Sequence, residues 1–111
     1  MKLAITSTDG VQVNEHFGMA RKFYIYEYAN GHVQFLEKRQ TDEIYSEGDK
    51  THPYEHARFL KALKMINDCK LIITKKIGEI PSGKLLEHGI EPVIFDGNIN
   101  EVFQCIPNKL N

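Results

Sequence analysis

The chain has 111 residues, 41% of them apolar and 26% charged, enough for one domain with a real core and too few for a second. Fourteen Lys and Arg against fifteen Asp and Glu give a net charge of −1, without the basic excess of a general nucleic-acid binder. No apolar run approaches the ~18 residues of a membrane-spanning helix, and the apolar part of Met1-Lys2-Leu3-Ala4-Ile5-Thr6 is too short for a signal peptide, so a cytoplasmic protein is expected.

Residues 3–8 read as a first strand, closed by the turn signal Asp9-Gly10. Residues 22–29 and 32–39 form a hairpin around Asn30-Gly31, the favoured pair for a two-residue type I′ turn. Carried along both strands, that register sets Tyr28 opposite Val33, Tyr26 opposite Phe35 and Tyr24 opposite Glu37 on one face. The other face receives Ala29/His32, Glu27/Gln34, Ile25/Leu36 and Phe23/Lys38. The tyrosine face is expected to be the better covered, and so core rather than a stacking platform for bases.

Residues 40–52 are polar and aperiodic, as in a loop. Pro53 suits the first position of a helix capped by Thr51 or His52 and running to about Asn67, with Phe59, Leu60, Leu63 and Ile66 on its buried stripe. Residues 71–74 form a continuous apolar run, the mark of a strand covered on both faces. A short helix over 81–88 ends at Gly89, 92–95 is a fifth strand, and 99–105 a last helix or turn of helix.

The order β-β-β-α-β-α-β-α joins an antiparallel meander to parallel strands linked by right-handed crossovers. A mixed five-stranded sheet with helices on both faces satisfies both halves, with strands in the order 3-2-1-4-5. The first and fourth strands are then central neighbours that the chain leaves in opposite lateral directions. Ligands of open α/β sheets bind at such a switch point, outside the carboxyl ends of the strands. Loops 8–19, 75–79 and 96–98 should therefore surround one crevice.

The first of these loops contains Asn14-Glu15-His16-Phe17-Gly18 and is followed by Arg21. An imidazole in that setting can ligate a soft metal or bond an anion. Of the adjacent Lys75 and Lys76, at most one should point into the crevice. Gly78, ahead of Pro81, leaves backbone amides near a helix start, which favours anions. His52 and His56 have the spacing of one helical face, but Pro53 intervenes and no third or fourth zinc ligand lies nearby. They read as a cap and a half-buried histidine, and His32 and His88 as solvent-side residues. Cys69 and Cys105 are too few for a disulfide scaffold or an all-thiolate zinc site and read as reduced, semi-buried thiols.

Catalytic patterns are missing. The first and fourth strands carry no carboxylates with which to hold two metal ions. There is no Gly-x-Ser-x-Gly elbow, phosphate loop or dinucleotide fingerprint, and no histidine beside Cys69 in the sequence. Binding is favoured over catalysis.

Two blocks of sequence now bear on function. Lys2-Leu3-Ala4-Ile5-Thr6-Ser7-Thr8-Asp9-Gly10 and Val13-Asn14-Glu15-His16-Phe17-Gly18-Met19-Ala20-Arg21-Lys22-Phe23 make up the first. Asp68-Cys69-Lys70-Leu71-Ile72-Ile73-Thr74-Lys75-Lys76-Ile77-Gly78 and Leu85-Leu86-Glu87-His88-Gly89-Ile90-Glu91-Pro92-Val93 make up the second. In order and separation they resemble the dinitrogenase iron-molybdenum cofactor biosynthesis family, in particular its NifX-like proteins and the C-terminal domain of NifB. The likeness covers essentially the whole chain, so residues 1–111 are read as one such domain. It implies a ribonuclease-H-like three-layer α/β/α fold and a carrier, not an enzyme, for an iron–sulfur or iron–molybdenum cofactor precursor.

In family terms His16 is the metal ligand, with Phe17, Gly18, Arg21, Lys75, Lys76 and Gly78 around the bound cluster. Arg21, Lys75 and Lys76 would neutralise its charge. A resident cluster normally takes several cysteine thiolates, whereas one imidazole and a few cations hold a preassembled cluster loosely enough to release it. The partners implied are the metal–sulfur cluster and its donor and acceptor assembly proteins, with no nucleic acid and no membrane. The chain would be a monomer or a weak homodimer paired through the hairpin edge. The same basic crevice also suits a small-anion or molybdate-binding sensor or interaction domain, with no cluster and no catalysis.

Overall fold

Alternation along two short strands divides the interior into two cores. In the computed structural model, which describes residues 1–41 and 56–105, these strands are β1 (Lys2–Thr6) and β5 (Leu71–Thr74). They run parallel side by side, with Leu3 beside Leu71 and Ile5 beside Ile73. Leu3, Ile5, Leu71 and Ile73 face one way and pack with Val13, Ile99 and Val102. Ala4 and Ile72 face the other way, among Phe17, Phe23, Ile25, Phe59, Ile66, Leu85 and Ile90. A strand buried on both faces has to be apolar at every position, which is what 71–73 show.

The remaining elements follow from these two. Strands β3 (Lys22–Ala29) and β4 (His32–Gln40) form the hairpin, and β6 (Glu91–Ile94) closes the opposite edge. The five strands lie in the order β4-β3-β1-β5-β6, antiparallel on the hairpin side and parallel on the other. Helices α1 (His56–Ile66) and α2 (Glu79–Glu87) supply Phe59, Ile66 and Leu85 to one core. Helix α3 (Ile99–Cys105) supplies Ile99 and Val102 to the other. The architecture is α/β, a mixed five-stranded sheet with helices on both faces. Among the described residues, no helix is long and apolar enough to cross a membrane.

The hairpin departs from the register read off its turn. Asn30 and Gly31 adopt the positive φ of a type I′ turn, 54° and 78°, and the four pairs nearest the turn are as expected. An irregularity between Ile25 and Tyr26 then leaves Leu36 unpaired. Beyond it Ile25 faces Glu37, Tyr24 faces Lys38 and Phe23 faces Arg39. The expected pairs Tyr24/Glu37, Ile25/Leu36 and Phe23/Lys38 are therefore each displaced by one residue. The cause lies across the sheet. Cross-strand partners share a face, and Phe23 faces the core beneath α1, so the bulge turns Arg39 toward α1 instead of Lys38. There Arg39 grips the end of α1, donating to Met65 O at 2.8 Å and to both oxygens of Asp68 at 2.7 and 2.9 Å.

The covered face of the hairpin is also the opposite of the one expected. Phe23 and Ile25 are fully buried, whereas Tyr24, Tyr26 and Tyr28 are only half-buried. The tyrosine face meets α3, whose seven residues reach it mainly through Phe103, 5.2 Å from the Tyr26 ring between centroids. The eleven-residue α1 serves the other face. On α1 itself Leu60 is 39% exposed and Ala62 takes its place in the core. At ~100° per residue, Leu60 lies a quarter-turn off the stripe of Phe59, Leu63 and Ile66. The expected cap at Thr51 or His52, the helix start at Pro53 and the His52/His56 pair lie outside the described residues, as does most of loop 40–52.

One element had no counterpart in the sequence reading. Strands β2 (Gln12–Val13) and β7 (Gly97–Asn98) pair antiparallel as a second, two-stranded sheet. With Ile99 N–H donating to Val11 O at 2.8 Å, it fastens the loop after β1 to the segment after β6.

Candidate functional site

Strands β1 and β5 end in Thr6 and Thr74, both fully buried. A buried hydroxyl needs a partner, and these two find theirs in each other and in the loops above. Their Oγ1 atoms are 2.9 Å apart. Thr6 Oγ1 lies 2.8 Å from Glu15 O, and Thr74 Oγ1 lies 3.1 Å from Glu15 O and 3.3 Å from Lys76 O. Backbone bonds reinforce the contact: Phe17 N–H donates to Lys76 O at 2.9 Å, and Lys75 N–H to Glu15 O at 3.1 Å. His16 and Lys76 thus pair as a parallel bridge above the two strand ends.

Both main-chain polar groups of His16 are engaged. Its N–H donates to Glu15 Oε1 at 3.0 Å, and its carbonyl accepts from Met19 N–H at 3.1 Å. The latter bond closes a single 3-10 turn over Phe17–Met19. The His16 residue is exposed on this fixed backbone. Phe17 goes inward, 1% exposed and 6.4 Å from Phe23 between ring centroids. Its side chain anchors the loop in the core, a correction to its expected place against a bound cluster.

The loop before His16 is equally constrained. Asp9 Oδ1 accepts from Val11 and Gln12 N–H at 2.9 and 3.0 Å. These donors, Gln12 first, hold the Asp9 carboxyl below the ordinary carboxylate range. Gly10 has φ +75°, and a Cβ on it would stand 2.9 Å from Tyr24 Cε1, so any other residue would strain the backbone and push the Tyr24 ring aside. Asn14 and Thr8 clasp each other: Thr8 N–H donates to Asn14 Oδ1, and Asn14 Nδ2 to Thr8 Oγ1, both at 3.0 Å.

The other expected site residues fall into two groups. Lys75 and Lys76 are exposed beside the His16 loop, and Gly78 is the N-cap of α2, extended and without a side-chain cap bond. Arg21 lies elsewhere. With Ser7, Thr8, Glu15, Met19 and Lys22 it lines a surface cavity of about 260 Å³. His16, Lys75 and Lys76 are not among its walls, although Glu15 and Met19 flank His16 on either side. Gly18 is half-buried within the turn. Loops 8–19 and 75–79 meet through the bridge, and 8–19 and 96–98 through the β2–β7 sheet.

Thr6 and Thr74, Glu15, and the cavity residues Ser7, Thr8, Met19 and Lys22 did not emerge from the sequence. The available signal was a hydroxyl at the C-terminal end of each of two apolar strands. Both cysteines are free. Burial, with Asp68 adjacent, pushes the Cys69 thiol up to about 12, so it is no thiolate at neutral pH. Among the described residues, no group of three or more His, Cys, Asp or Glu could hold a metal ion.

The fold and the site define a small mixed-sheet α/β domain with an exposed imidazole beside two exposed lysines, over the carboxyl ends of its central parallel strands. The chain belongs to the dinitrogenase iron-molybdenum cofactor family, whose model matches residues 1–108. It is 34% identical over 95 residues to the FeMo cofactor biosynthesis protein NifB of Frankia alni, covering 85% of this chain and 18% of that protein. The chain therefore spans about a fifth of the length of that relative. It is 27% identical over 94 residues to the protein NifX of Sinorhizobium fredii, covering 84% of this chain and 58% of that one. The crystal structure of PH0822 superposes with a TM-score of 0.72 at 21% identity, over 98% of this chain and 92% of that chain, a likeness of fold.

Proposed function

We propose that this chain binds and carries a metal–sulfur cluster, an iron–sulfur or iron–molybdenum cofactor precursor, between a donor and an acceptor protein of cofactor assembly. The cluster is cargo, not a resident cofactor. One observation carries the reading: His16 is exposed while its backbone is pinned to Lys76 above the two central strand ends. That leaves the imidazole as the part of the residue free to ligate, with Lys76, its bridge partner, and the adjacent Lys75 to meet the charge of an anionic guest. Arg21, from the neighbouring cavity, and the backbone around Gly18 and Gly78 complete the proposed surface. The donor set fits loosely held cargo, because the buried Cys69 thiol supplies no thiolate and a resident cluster normally takes several. The reading is of binding without catalysis, by a cytoplasmic domain of residues 1–111 in the ribonuclease-H-like group, acting as a monomer or weak homodimer.

Anaerobic incubation with a cluster donor, followed by desalting, should leave a coloured protein. His16→Ala should lose most of that colour, and Lys75→Ala/Lys76→Ala should make retention fall more steeply with salt. Colour retained in full by His16→Ala removes His16 from the role. Saturable binding of molybdate under air, with no cluster retained, would favour the small-anion reading instead.

A further inference from the structure

We infer that Met19 supplies a second soft donor beside His16, making an imidazole–thioether pair that takes a thiophilic closed-shell metal ion or the exposed metal of a sulfide cluster. The inference deepens the carrier reading and rests on it for the identity of the cargo.

The argument begins with the 3-10 turn. Met19 N–H donates to His16 O at 3.1 Å and Ala20 N–H to Phe17 O at 3.2 Å. The turn itself is Phe17–Met19, with His16 and Ala20 extended at its two ends. Phe17 and Ala20, joined by the second bond, are 1% and 3% exposed, both in the core beneath α1. His16 and Met19, joined by the first bond across one short turn, are both exposed, Met19 by 50%. The turn therefore sorts its residues into one pair inside and one pair outside, and the outer pair carries a nitrogen and a sulfur donor.

The surroundings suit a metal dressed with sulfide. Met19 lines the cavity that also holds Arg21 and Lys22. Among the described residues the Arg21 guanidinium makes no hydrogen bond or ion pair, and the Lys22 ammonium only one bond, to Thr8 O at 3.3 Å. A metal held by His16 and Met19 would present its remaining anionic ligands toward the Arg21 and Lys22 cations of this cavity. Two protein donors leave coordination positions for the guest's own sulfides. A thioether gives nothing to a hard oxyanion and much to a soft metal. Met19 is therefore the residue that separates a metal–sulfur cargo from molybdate.

Silver(I), soft and redox-inert, is the probe. The experiment uses the full chain in a Cys105→Ser background, because the exposed Cys105 thiol would capture the ion. With the methionine methyls labelled, one equivalent of silver(I) should shift the Met19 methyl and the His16 ring resonances together, and molybdate should shift neither. Met19→Leu and His16→Ala should each weaken silver binding by about tenfold or more, with the amide spectrum unchanged away from the turn. Silver that shifts His16 alone, or binds Met19→Leu as tightly as the parent, overturns the inference. Cluster retention lost in His16→Ala but intact in Met19→Leu also overturns it and leaves the carrier reading standing. Silver bound by both residues, in a protein that retains no cluster, supports the donor pair and overturns the carrier reading.

Discussion

Removing the Thr74 hydroxyl tests whether the strand ends hold the His16 loop. In Thr74→Val the shape is kept, and the contacts to Thr6, Glu15 O and Lys76 O are lost. Neither carbonyl is orphaned, because Lys76 O still accepts from Phe17 N–H and Glu15 O from Lys75 N–H. Thr6 Oγ1 also remains 2.8 Å from Glu15 O. The cost is then that of one neutral hydrogen bond, about 1 kcal/mol, and not the ~3 kcal/mol of a stranded buried acceptor. For a chain of this size that is a fall in Tm of roughly 4–5 °C. Local opening should rise in proportion, with the Phe17 amide exchanging about fivefold faster. Thr74→Ser keeps the hydroxyl and should keep the Phe17 protection. Thermal melts and native-state hydrogen exchange read both quantities. A loss above ~3 kcal/mol would mean that the backbone donors do not stand in for the hydroxyl. Unchanged Phe17 exchange would mean that Thr74 does not hold the loop at all.

Three further outcomes are expected. Arg39, and secondarily Lys2, hold the Asp68 carboxyl well below the usual carboxylate range. That stabilisation is present above the unfolded value of about 3.9 and is lost as pH falls below it toward the depressed folded value. Asp68 is 36% exposed, so after discounting for screening Asp68→Asn should cost about 1–2 kcal/mol at pH 7. Urea melts should show the gap to wild type narrowing from pH 5 toward pH 2, and a constant gap would sink the assignment. Gly10→Ala and Gly31→Ala both force alanine to positive φ, but only Gly10 faces an obstacle, the Tyr24 ring. Gly31→Ala should cost about 1 kcal/mol in the same assay and Gly10→Ala distinctly more, and equal losses would refute the contact. With a disulfide thiol reagent at pH 8, Cys105 should react at once and Cys69 only after denaturation, since burial raises the Cys69 thiol to about 12. Two fast equivalents would contradict that.

The features legible in the sequence are those set by local chemistry. Asn30-Gly31 marked the turn by its tolerance of positive φ, Gly89 ended α2 with φ +77°, and the apolar run at 71–73 announced a strand covered twice. The errors arose where distant partners decide. A two-residue turn fixes register only until something pulls the strand out of it. Here the bulge at Leu36 turns Arg39 to the face where Asp68 and Met65 O await it. Which hairpin face is better buried depends on the helix that covers it, and among the described residues α1 has eleven residues to the seven of α3. The pairing of Gln12–Val13 with Gly97–Asn98 is too short to carry a period. At the site, His16, Lys75 and Lys76 could be singled out as residue types near a switch point, but their juxtaposition depends on backbone bonds that no side-chain pattern encodes. The threonine pair that secures those bonds looked like ordinary strand ends.

That division between backbone and side chain bears on what a carrier requires. The main-chain N–H and C=O of His16 are both engaged, so little backbone entropy of that residue would be lost on binding a guest. The proposed ligand, His16, is instead exposed, and exposed cations such as Lys75 and Lys76 would each add no more than about 1 kcal/mol, screened by salt. A cluster on this surface would gain from a prepared loop, yet remain open on its solvent side to the thiolates of an acceptor, which outcompete one imidazole. Burying the site or adding a reactive cysteine would tighten binding and slow release together. On the proposed carrier reading, the raised thiol of Cys69 and the exposure of residues 16 and 19 belong to one arrangement, in which the protein would fix the geometry of the encounter and leave the stronger ligands to the recipient.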